Sequence, residues 1–241
     1  MNDQVNISFF ASAEEDCGYL PGEASVNAFA NPHIDMDMET YAALIRHGFR
    51  RSGNYVYRPH CPACNECVPV RIPVRSYQRS RNDKRCFKRN RDLEVRRLPA
   101  RFRADHFELY ARYINSRHIE GSMSNPDEQD YRRFLISNWA DTEFIEYRLH
   151  NQVISVAVCD VMPDGLSAVY TFFDPDYIKR SLGHLAIIDQ IEQAQKREMD
   201  YLYLGYWIEN CDKMRYKSRY QPLQVLRQEH WHAFSDWYPG I

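Results

Sequence analysis

The 241-residue chain lacks long hydrophobic runs, and no stretch approaches the ~20 consecutive apolar residues of a membrane-spanning helix. It also lacks an apolar N-terminal segment preceded by positive charge, so we expect no secretory signal peptide. Cysteine occurs seven times, an odd number that does not suit a framework of paired disulfides. These absences together predict a cytoplasmic location with reduced thiols.

Basic residues are absent from the first 45 positions, which carry eight acidic side chains and no Lys or Arg. Residues 71–103 show the reverse, with thirteen basic and three acidic side chains and a local net charge of +10. The formal charge of −2 for the whole chain conceals this asymmetry. Tyr77 and Phe87 interleave with the basic block. Such a block is typical of either a solvated face or a polyanion-binding surface such as one for nucleic acid, and composition alone leaves both interpretations open.

Hydrophobic periodicity and turn residues predict the order of helices and strands, with no internal repeat and no low-complexity linker. In the first half we expect a helix over 37–47, strands over 55–58 and 68–74, a basic helix over 80–90 and a strand over 93–98. In the second half we expect helices over 105–118 and after Pro126, strands over 143–149, 153–161 and 167–173, a long helix around 185–194, and strands over 201–206 and 224–227. The dipeptides His150–Asn151 and Asp164–Gly165 suit hairpin turns.

This order predicts an α/β (α+β) fold, built on an antiparallel meander with one crossover. It resembles the N-acetyltransferase-like (GNAT) superfamily, a similarity of fold that defines no chemistry. We predict two domains: a smaller, Cys-containing basic domain over residues 1–103, and an acetyltransferase-like catalytic domain over residues 104–241.

Five sequence blocks, in order, resemble those of one enzyme family. They are "CGYLPG" (17–22), "GFRRSGNYVYRPHCPACNECVPVR" (48–71), "SRNDKRCFKRNRDL" (80–93), "YTFFDPDYIKRSLG" (170–183) and "YLGYWIENCDKMRYKSRYQP" (203–222). The family is that of the arginyl-tRNA–protein transferases and their bacterial relatives, the aspartate/glutamate leucyltransferases. The compact length is more similar to the bacterial leucyl branch than to the longer eukaryotic arginyl branch.

The resemblance implies transfer of leucine from leucyl-tRNA to the α-amine of proteins that begin with Asp or Glu, which marks them for N-end-rule degradation. Three alternatives stay open: an arginyl-tRNA–protein transferase with the same mechanism, an acetyl-CoA-dependent N-acetyltransferase, and a non-enzymatic zinc-ribbon RNA-binding protein. The acetyltransferase would leave the basic block unexplained and would need a Gly-rich loop, where this chain has only "RSLG" (180–183). The RNA-binding protein would leave the second half unexplained.

The implied reaction is aminolysis of an ester by an α-amine. With a pKa of about 7.7–8.0, roughly a tenth of such an amine is neutral at pH 7. Positioning alone contributes about 7–11 kcal/mol, so a carboxylate that accepts the proton suffices and no cofactor or nucleophilic side chain is required. We predict Asp174 as this carboxylate and Asp160 as the second choice. The alternative for each is a turn Asp that caps backbone amides.

Substrate contacts are predicted at three places. Ser181 and Gly183 precede the long helix, whose N-terminus suits an anion or a carbonyl oxygen, although Ser181 also suits an ordinary N-cap. The acidic side chain of the acceptor requires a cation. The resemblance places Lys213, Arg215 and Lys217 there, on one face if the segment is extended, with Arg58 as an alternate. An apolar pocket for leucine is predicted from Tyr170, Phe172, Leu204 and Tyr206.

The resemblance gives the basic residues a partner, the phosphates of tRNA. Lys and Arg contacts to phosphate provide affinity and salt sensitivity but little sequence choice. The predicted tRNA-binding residues are Arg50, Arg51, Arg81, Lys84, Arg85, Lys88 and Arg89.

The segment "CPACNEC" (61–67) contains two overlapping C-x-x-C pairs, the ligand spacing of zinc and iron–sulfur sites. Cys61, Cys64 and Cys67 would need a fourth ligand, from Cys17 or His60. Some eukaryotic arginyl relatives carry a metal site that includes a "CGYC" pair, but Leu20 replaces its second cysteine here. A structural zinc or iron–sulfur site, reduced structural thiols and a redox-sensitive cluster therefore remain open.

Overall fold

The computed structural model describes residues 7–117 and 124–240. Its strands are β1 (Phe9–Ala11), β2 (Glu15–Asp16), β3 (Ala24–Ser25), β4 (Asn27–Ala30), β5 (Arg50–Ser52), β6 (Tyr55–Pro59), β7 (Val68–Pro73), β8 (Glu94–Pro99), β9 (Thr142–Leu149), β10 (Gln152–Met162), β11 (Gly165–Phe173), β12 (Tyr201–Trp207), β13 (Gln224–Arg227) and β14 (His230–Ala233). Its α-helices are α1 (Met38–Arg46), α2 (Arg81–Arg89), α3 (Ala104–Arg117), α4 (Glu128–Leu135), α5 (Leu182–Lys196), α6 (Asp212–Arg215) and α7 (Phe234–Trp237). Shorter 3-10 turns span Val74–Ser76, Pro175–Arg180 and Tyr216–Arg219.

The centre of the mixed α/β fold is an eight-stranded sheet in the order β14-β13-β7-β12-β11-β10-β9-β8. Strands β9, β10 and β11 form the expected antiparallel meander, and α5 crosses over to place β12 parallel to β11. The first half of the chain contributes β7 to the middle of this sheet and β8 to its edge. Strands from both sides of the predicted boundary at 103/104 therefore share one sheet, and the division into two domains stays a prediction.

The helices predicted from periodicity are confirmed, and their caps follow the local sequence. The Asp37 side chain accepts from the Thr40 N–H at the start of α1. Ser80 and Asp83 form a reciprocal capping box at the start of α2. The hairpin predicted at His150–Asn151 is also confirmed, because both residues adopt the positive φ of a hairpin turn. No α-helix in the described parts of the chain is both long and apolar enough to cross a membrane.

A second, four-stranded sheet with the order β1-β4-β6-β5 was not predicted as a sheet. One face of it packs against α1, where Ala30, Tyr41, Ile45 and Val56 are buried together. On its other face, Arg50 and Tyr57 are direct cross-strand neighbours, so their side chains project to the same side. This face lies towards the larger sheet, since Arg50 contacts Ser167 and Ala168 of β11.

The parallel strands β11 and β12 are joined for only part of their length. Their ladder pairs are Gly165 with Tyr201, Leu166 with Leu202 and Ser167 with Tyr203. Both strands continue beyond these pairs, but in the described structure no further ladder joins them, so a wedge-shaped opening separates their carboxyl ends. Ligands commonly bind where a sheet opens beyond the carboxyl ends of its strands. This opening is called the wedge below.

Candidate active site

Two cations occupy opposite walls of the wedge. The Arg50 guanidinium donates to the Ala168 carbonyl of β11 and to the Ser167 hydroxyl at 3.3 Å. The Lys217 ammonium, from the turn Tyr216–Arg219, donates to the Tyr206 carbonyl of β12. Each cation thus takes the place of a missing hydrogen bond: it donates to a main-chain carbonyl in the region where β11 and β12 no longer pair with each other.

Gly205 in β12 allows Arg50 to enter the wedge. Gly205 has a φ of +75°, and a Cβ at this position would lie 3.1 Å from the guanidinium carbon. The register between β12 and β7 also shifts between Tyr203 and Gly205. A glycine inside a strand often marks such an irregularity or a close approach of other atoms.

Both cations are buried without a partner of opposite charge. Arg50 is 9% exposed and Lys217 is 5% exposed. In residues 7–117 and 124–240, neither forms an ion pair with a carboxylate. Burial, and next the positive charge of Arg50, lower the pKa of Lys217 from 10.5 to about 7. Because an unpaired buried charge is costly, such a pair is a strong candidate for an anion-binding site.

Tyrosine side chains border the same opening. The Tyr206 hydroxyl donates to the Gly48 carbonyl at 2.9 Å. The Lys217 ammonium lies 5.6 Å from the centre of the Tyr216 ring. Burial raises the pKa of Tyr216 to about 12, so its phenol is neutral at physiological pH. The surround of the two cations is therefore largely aromatic and neutral.

A cavity of about 620 Å³ adjoins the wedge at Tyr206. One wall is the β2–β3 connection, which contributes Cys17 and Tyr19, and another is Tyr57 of the small sheet. The exposed carboxylates Glu15, Asp16 and Glu23 belong to the β2–β3 hairpin. In the described structure none of these carboxylates lines the cavity, and the charged residue that lines it is Arg227.

Of the four residues predicted to form a leucine pocket, only some lie beside an open space. Phe172 and Leu204 are fully or almost fully buried members of the cores on either side of the sheet, so they do not face an open pocket. Tyr170 is half-buried and packs edge-on against Phe134, with ring centres 5.0 Å apart. Tyr206 lines the cavity described above.

Asp160 does not have the geometry of a proton acceptor. Its side chain is fully buried and accepts two hydrogen bonds from Arg51, at 2.6 and 2.7 Å, and one from Thr142 at 2.7 Å. Its strand neighbour Ser167 lies near the β10–β11 turn, whereas Asp174 follows the far end of β11. About six residues of strand, or about 20 Å, separate the two carboxylates. The prediction of Asp160 as a base does not agree with this position.

Asp174 lies at the wedge end of β11, but its oxygens are engaged. Both accept from the guanidinium of Arg112 at 3.0 Å, and one also accepts from the Asp176 N–H at 3.1 Å. Asp174 is buried and begins the turn Pro175–Arg180. This is the geometry of the alternative considered above, a turn Asp that caps backbone amides. Its catalytic role stays a prediction.

The segment 213–219 is helical, so the extended alternation assumed for its cations is wrong. Lys213 and Arg215 are exposed on α6, and Arg215 pairs with Asp212 at 2.6 Å. Of the three predicted cations, Lys217 alone enters the wedge. Arg58 lies on the opposite face of the small sheet from Arg50, where its guanidinium stacks 5.0 Å from the Phe49 ring centre.

The loop before α5 contacts α2. Ser181 has a φ of +57°, and its side chain makes no cap hydrogen bond, so the predicted N-cap is not confirmed. Its hydroxyl instead accepts from Arg89 at 3.3 Å. A Cβ at Gly183 would meet the Phe173 ring at 3.8 Å, an ordinary contact distance. The substrate roles of Ser181 and Gly183 stay predictions.

The basic residues predicted to contact tRNA divide into two groups. Five side chains are exposed on α2, namely Arg81, Lys84, Arg85, Lys88 and Arg89. Arg50 and Arg51 are buried, and their guanidinium groups are engaged in the wedge and with Asp160, respectively. The prediction that these two contact phosphate is corrected, because buried and engaged guanidinium groups do not reach a duplex backbone.

The four candidate thiol ligands, Cys17, Cys61, Cys64 and Cys67, all line the cavity. In the described part of the chain, however, no three of their sulfur atoms lie within 4.8 Å of one another, whereas a tetrahedral zinc with Zn–S bonds of about 2.3 Å requires closer spacing. Burial raises the pKa of the Cys67 thiol to about 12. The thiols as arranged do not form a ready metal site, and metal binding stays a prediction.

Within the described residues, Asp105, His106 and Glu146 do have the spacing of metal ligands. Glu146 already accepts from Arg148 at 2.9 Å and contacts His106 at 2.7 Å. A cation here would face the guanidinium of Arg148, so we interpret the group as a hydrogen bond from α3 to β9 together with the ion pair of Glu146 and Arg148.

Comparison with known proteins agrees with the five sequence blocks. Residues 15–85 match the family model "Arginine-tRNA-protein transferase, N terminus", and residues 105–227 match "Arginine-tRNA-protein transferase, C terminus". Among solved structures, L-PGS from Bacillus licheniformis superposes with a TM-score of 0.46 at 9% identity, over 71% of this chain and 51% of that chain, which is too low to transfer a function.

Curated relatives cover almost the whole chain. The aspartate/glutamate leucyltransferase of Pseudomonas fluorescens (strain Pf0-1) is 45% identical over 96% of this chain and 98% of its own length. That of Alcanivorax borkumensis is 46% identical over 98% of both chains. The chain therefore belongs to the aspartate/glutamate leucyltransferases, which are aminoacyl-tRNA–protein transferases.

Proposed function

We propose that the wedge is the place where the leucyl ester of leucyl-tRNA meets the N-terminal Asp or Glu of an acceptor protein. The observation that carries this proposal is the buried pair Arg50 and Lys217, which faces no carboxylate in the described residues. An acidic acceptor side chain supplies the missing negative charge. Arg offers a rigid fork of donors and Lys a compact charge, which together suit one carboxylate.

Binding the acceptor carboxylate at this pair positions the neighbouring α-amine. The amine and the side-chain carboxylate of an N-terminal Asp are separated by only a few bonds, so fixing one restricts the other. Such positioning converts an encounter in solution into a step within one complex, which contributes about 7–11 kcal/mol. The splayed strands β11 and β12 and the crossover helix α5 between them also support the proposal of a GNAT-like arrangement for this part of the chain.

The exposed basic face of α2 is the proposed docking surface for tRNA. Arg89 of α2 donates to the Lys179 carbonyl and to the Ser181 hydroxyl, which ties this face to the loop that ends next to α5. No residue of α2 lines the 620 Å³ cavity, which is the proposed entry for the acceptor. The donor and the acceptor would thus approach the wedge from different sides, and the leucylated product would be marked for N-end-rule degradation.

Transfer from charged tRNA to short peptides tests this proposal. The donors are tRNA carrying labelled leucine or labelled arginine, and the acceptors are peptides that begin with Asp, Glu, Lys or Ala. We expect label to move from leucyl-tRNA to the Asp and Glu peptides only. Transfer of arginine from arginyl-tRNA would show that the protein is an arginyl-tRNA–protein transferase. Transfer of leucine to Lys or Ala peptides at the same rate as to Asp and Glu peptides would contradict an anion site in the wedge.

A further inference from the structure

Lys217 lies among groups that make its protonation depend on what occupies the wedge. Arg50 approaches from β5, Cys67 from the segment before β7, and Cys211 from the segment before α6. The Met214 sulfur lies 3.3 Å from the Lys217 nitrogen, and the Tyr216 ring packs beside it. Of these neighbours Arg50 alone carries a permanent charge, and that charge opposes a second positive charge on Lys217.

We infer that Lys217 accepts the proton of the acceptor's α-ammonium group, and that the acceptor's own carboxylate, bound beside Arg50, drives this transfer. The inference rests on the proposed function and deepens it. It makes Lys217 a catalytic residue and gives the reaction a proton acceptor that Asp160 and Asp174, with their oxygens engaged, do not supply.

The direction of the transfer follows from the charges. In the free protein, burial and Arg50 favour the neutral amine of Lys217 once the pH exceeds about 7. A carboxylate that enters the wedge offsets the charge of Arg50 and favours the protonated form of Lys217. The nearest source of a proton is then the acceptor's ammonium group, which must lose one to become a nucleophile.

The atoms and charges balance without another reagent. The α-ammonium group gives one proton to the Lys217 nitrogen. The freed amine attacks the ester carbonyl, the C–N bond forms, and the C–O bond to the tRNA breaks. The second proton of the amine goes to that oxygen, which leaves as a hydroxyl group. When the leucylated product and its carboxylate leave, Lys217 releases its proton to water.

This coupling also explains selectivity for an acidic N-terminus. An acceptor that begins with Asn has nearly the shape of one that begins with Asp, but it brings no charge into the wedge. Arg50 then continues to oppose protonation of Lys217, so the ammonium group of the Asn acceptor keeps its proton. Selectivity arises in the rate of the chemical step as well as in binding.

The substitution Lys217→Arg separates charge from proton acceptance, because Arg keeps a positive charge and is not deprotonated in proteins. For an Asp peptide, we expect KM to change by less than about threefold and kcat to fall by about 10²-fold, as for loss of a general base. The acidic limb of the kcat/KM profile, which reports the free enzyme, should move from about 7 in the wild type to the α-amine range of about 7.7–8.0. Lys196→Arg, at the exposed end of α5, is the matched control.

Direct titration of the wild-type protein avoids any dependence on how the variant folds. Carbon-13 NMR of the Lys217 side chain would measure its pKa in three samples. These are the free protein, the protein with an N-acetylated Asp peptide, and the protein with the N-acetylated Asn peptide. We expect the Asp peptide to raise the pKa by at least one unit and the Asn peptide to leave it unchanged. An unchanged pKa with bound Asp peptide would overturn the inference.

The outcomes separate this inference from the proposed function. If Lys217→Arg keeps the wild-type kcat and pH profile, Lys217 only holds the carboxylate, and the anion site survives without the proton transfer. If the Asp and Asn peptides bind equally to the wild type, the anion site itself is wrong and the inference fails with it.

Discussion

Arg50 and Lys217 reach the same opening from parts of the chain 167 positions apart, and each donates to a main-chain carbonyl on a different strand. Arg50 engages β11 and Lys217 engages β12, so the two cations stand where the parallel ladder has ended. The separation of the strands exposes carbonyl groups, and these carbonyl groups stabilise two cations that have no acidic partner in the described chain.

Arg50→Met should weaken binding of acidic acceptors. Removing one charged member of a buried, hydrogen-bonded site costs about 2 kcal/mol or more, which is roughly 30-fold in KM for an Asp peptide. Steady-state kinetics with saturating leucyl-tRNA measure this change. Arg46→Met removes a partly exposed arginine of α1 and should leave KM unchanged. Equal KM values for the Arg50 variant and the wild type would exclude Arg50 from acceptor binding.

Gly205→Ala should act on the acceptor site through Arg50. The added methyl group would lie 3.1 Å from the guanidinium carbon, and the φ of +75° is unfavourable for alanine. We expect a higher KM for Asp peptides, unchanged tRNA affinity, and a loss of more than about 1 kcal/mol of stability. Kinetics and chemical denaturation of the same preparation measure both effects. A destabilised variant with an unchanged KM would show that Arg50 does not depend on the glycine.

Lys84→Glu with Arg85→Glu should weaken tRNA binding and lower its salt dependence. Each phosphate contact contributes close to one unit to the slope of log affinity against log salt, so the slope should fall by about two. Filter binding of leucyl-tRNA at several salt concentrations measures it, with Lys196→Glu, at the exposed end of α5, as the control. An unchanged slope would place the tRNA on another surface.

Asp160→Asn should reduce stability, since it leaves Arg51 without its buried partner. Breaking a buried ion pair in this way costs about 3–5 kcal/mol. Urea denaturation measures the free energy of unfolding. We expect the folded fraction of this variant to keep its kcat, in contrast to Lys217→Arg. A stable but inactive variant would restore Asp160 as a catalytic candidate.

Removal of metal should leave transfer intact, because no step proposed above uses a metal ion. The protein is dialysed against a chelator, its metal content is measured, and leucine transfer is assayed before and after. Loss of activity that zinc or iron restores would assign a function to Cys17, Cys61, Cys64 and Cys67. Loss of stability with activity retained would indicate a structural ion.

Much of the local structure was predictable from the sequence because its causes are local. Asp37 and Ser80 precede runs with helical periodicity, and their side chains cap α1 and α2 as such residues do. The alternation of the strands and the turn at His150–Asn151 predicted the meander for the same reason. The family blocks also placed Lys217 among the substrate residues.

The sequence did not reveal the environment of the candidate site residues, because distant segments of the chain determine it. Arg50 and Arg51 are adjacent in a basic motif, and the sequence predicts the same role for both. In the structure, Arg50 enters the wedge, whereas Arg51 pairs with Asp160, 109 positions away in the chain. The position of Asp174 at a strand end predicts a free carboxylate, but Arg112 donates to both of its oxygens. One local signal was present, since Gly205 inside a strand indicates a bulge or a close approach.

The family, most of the order of helices and strands, and the location of basic charge on α2 follow from the amino-acid sequence, since motifs, periodicity and composition are properties of neighbouring residues. Which charged side chains are buried, which form ion pairs, and which two meet without an acidic partner in the described chain depends on the tertiary structure. Burial and ion pairing depend on contacts between β5, β11, β12 and the turn at Tyr216–Arg219, and those contacts form only when the sheets pack together.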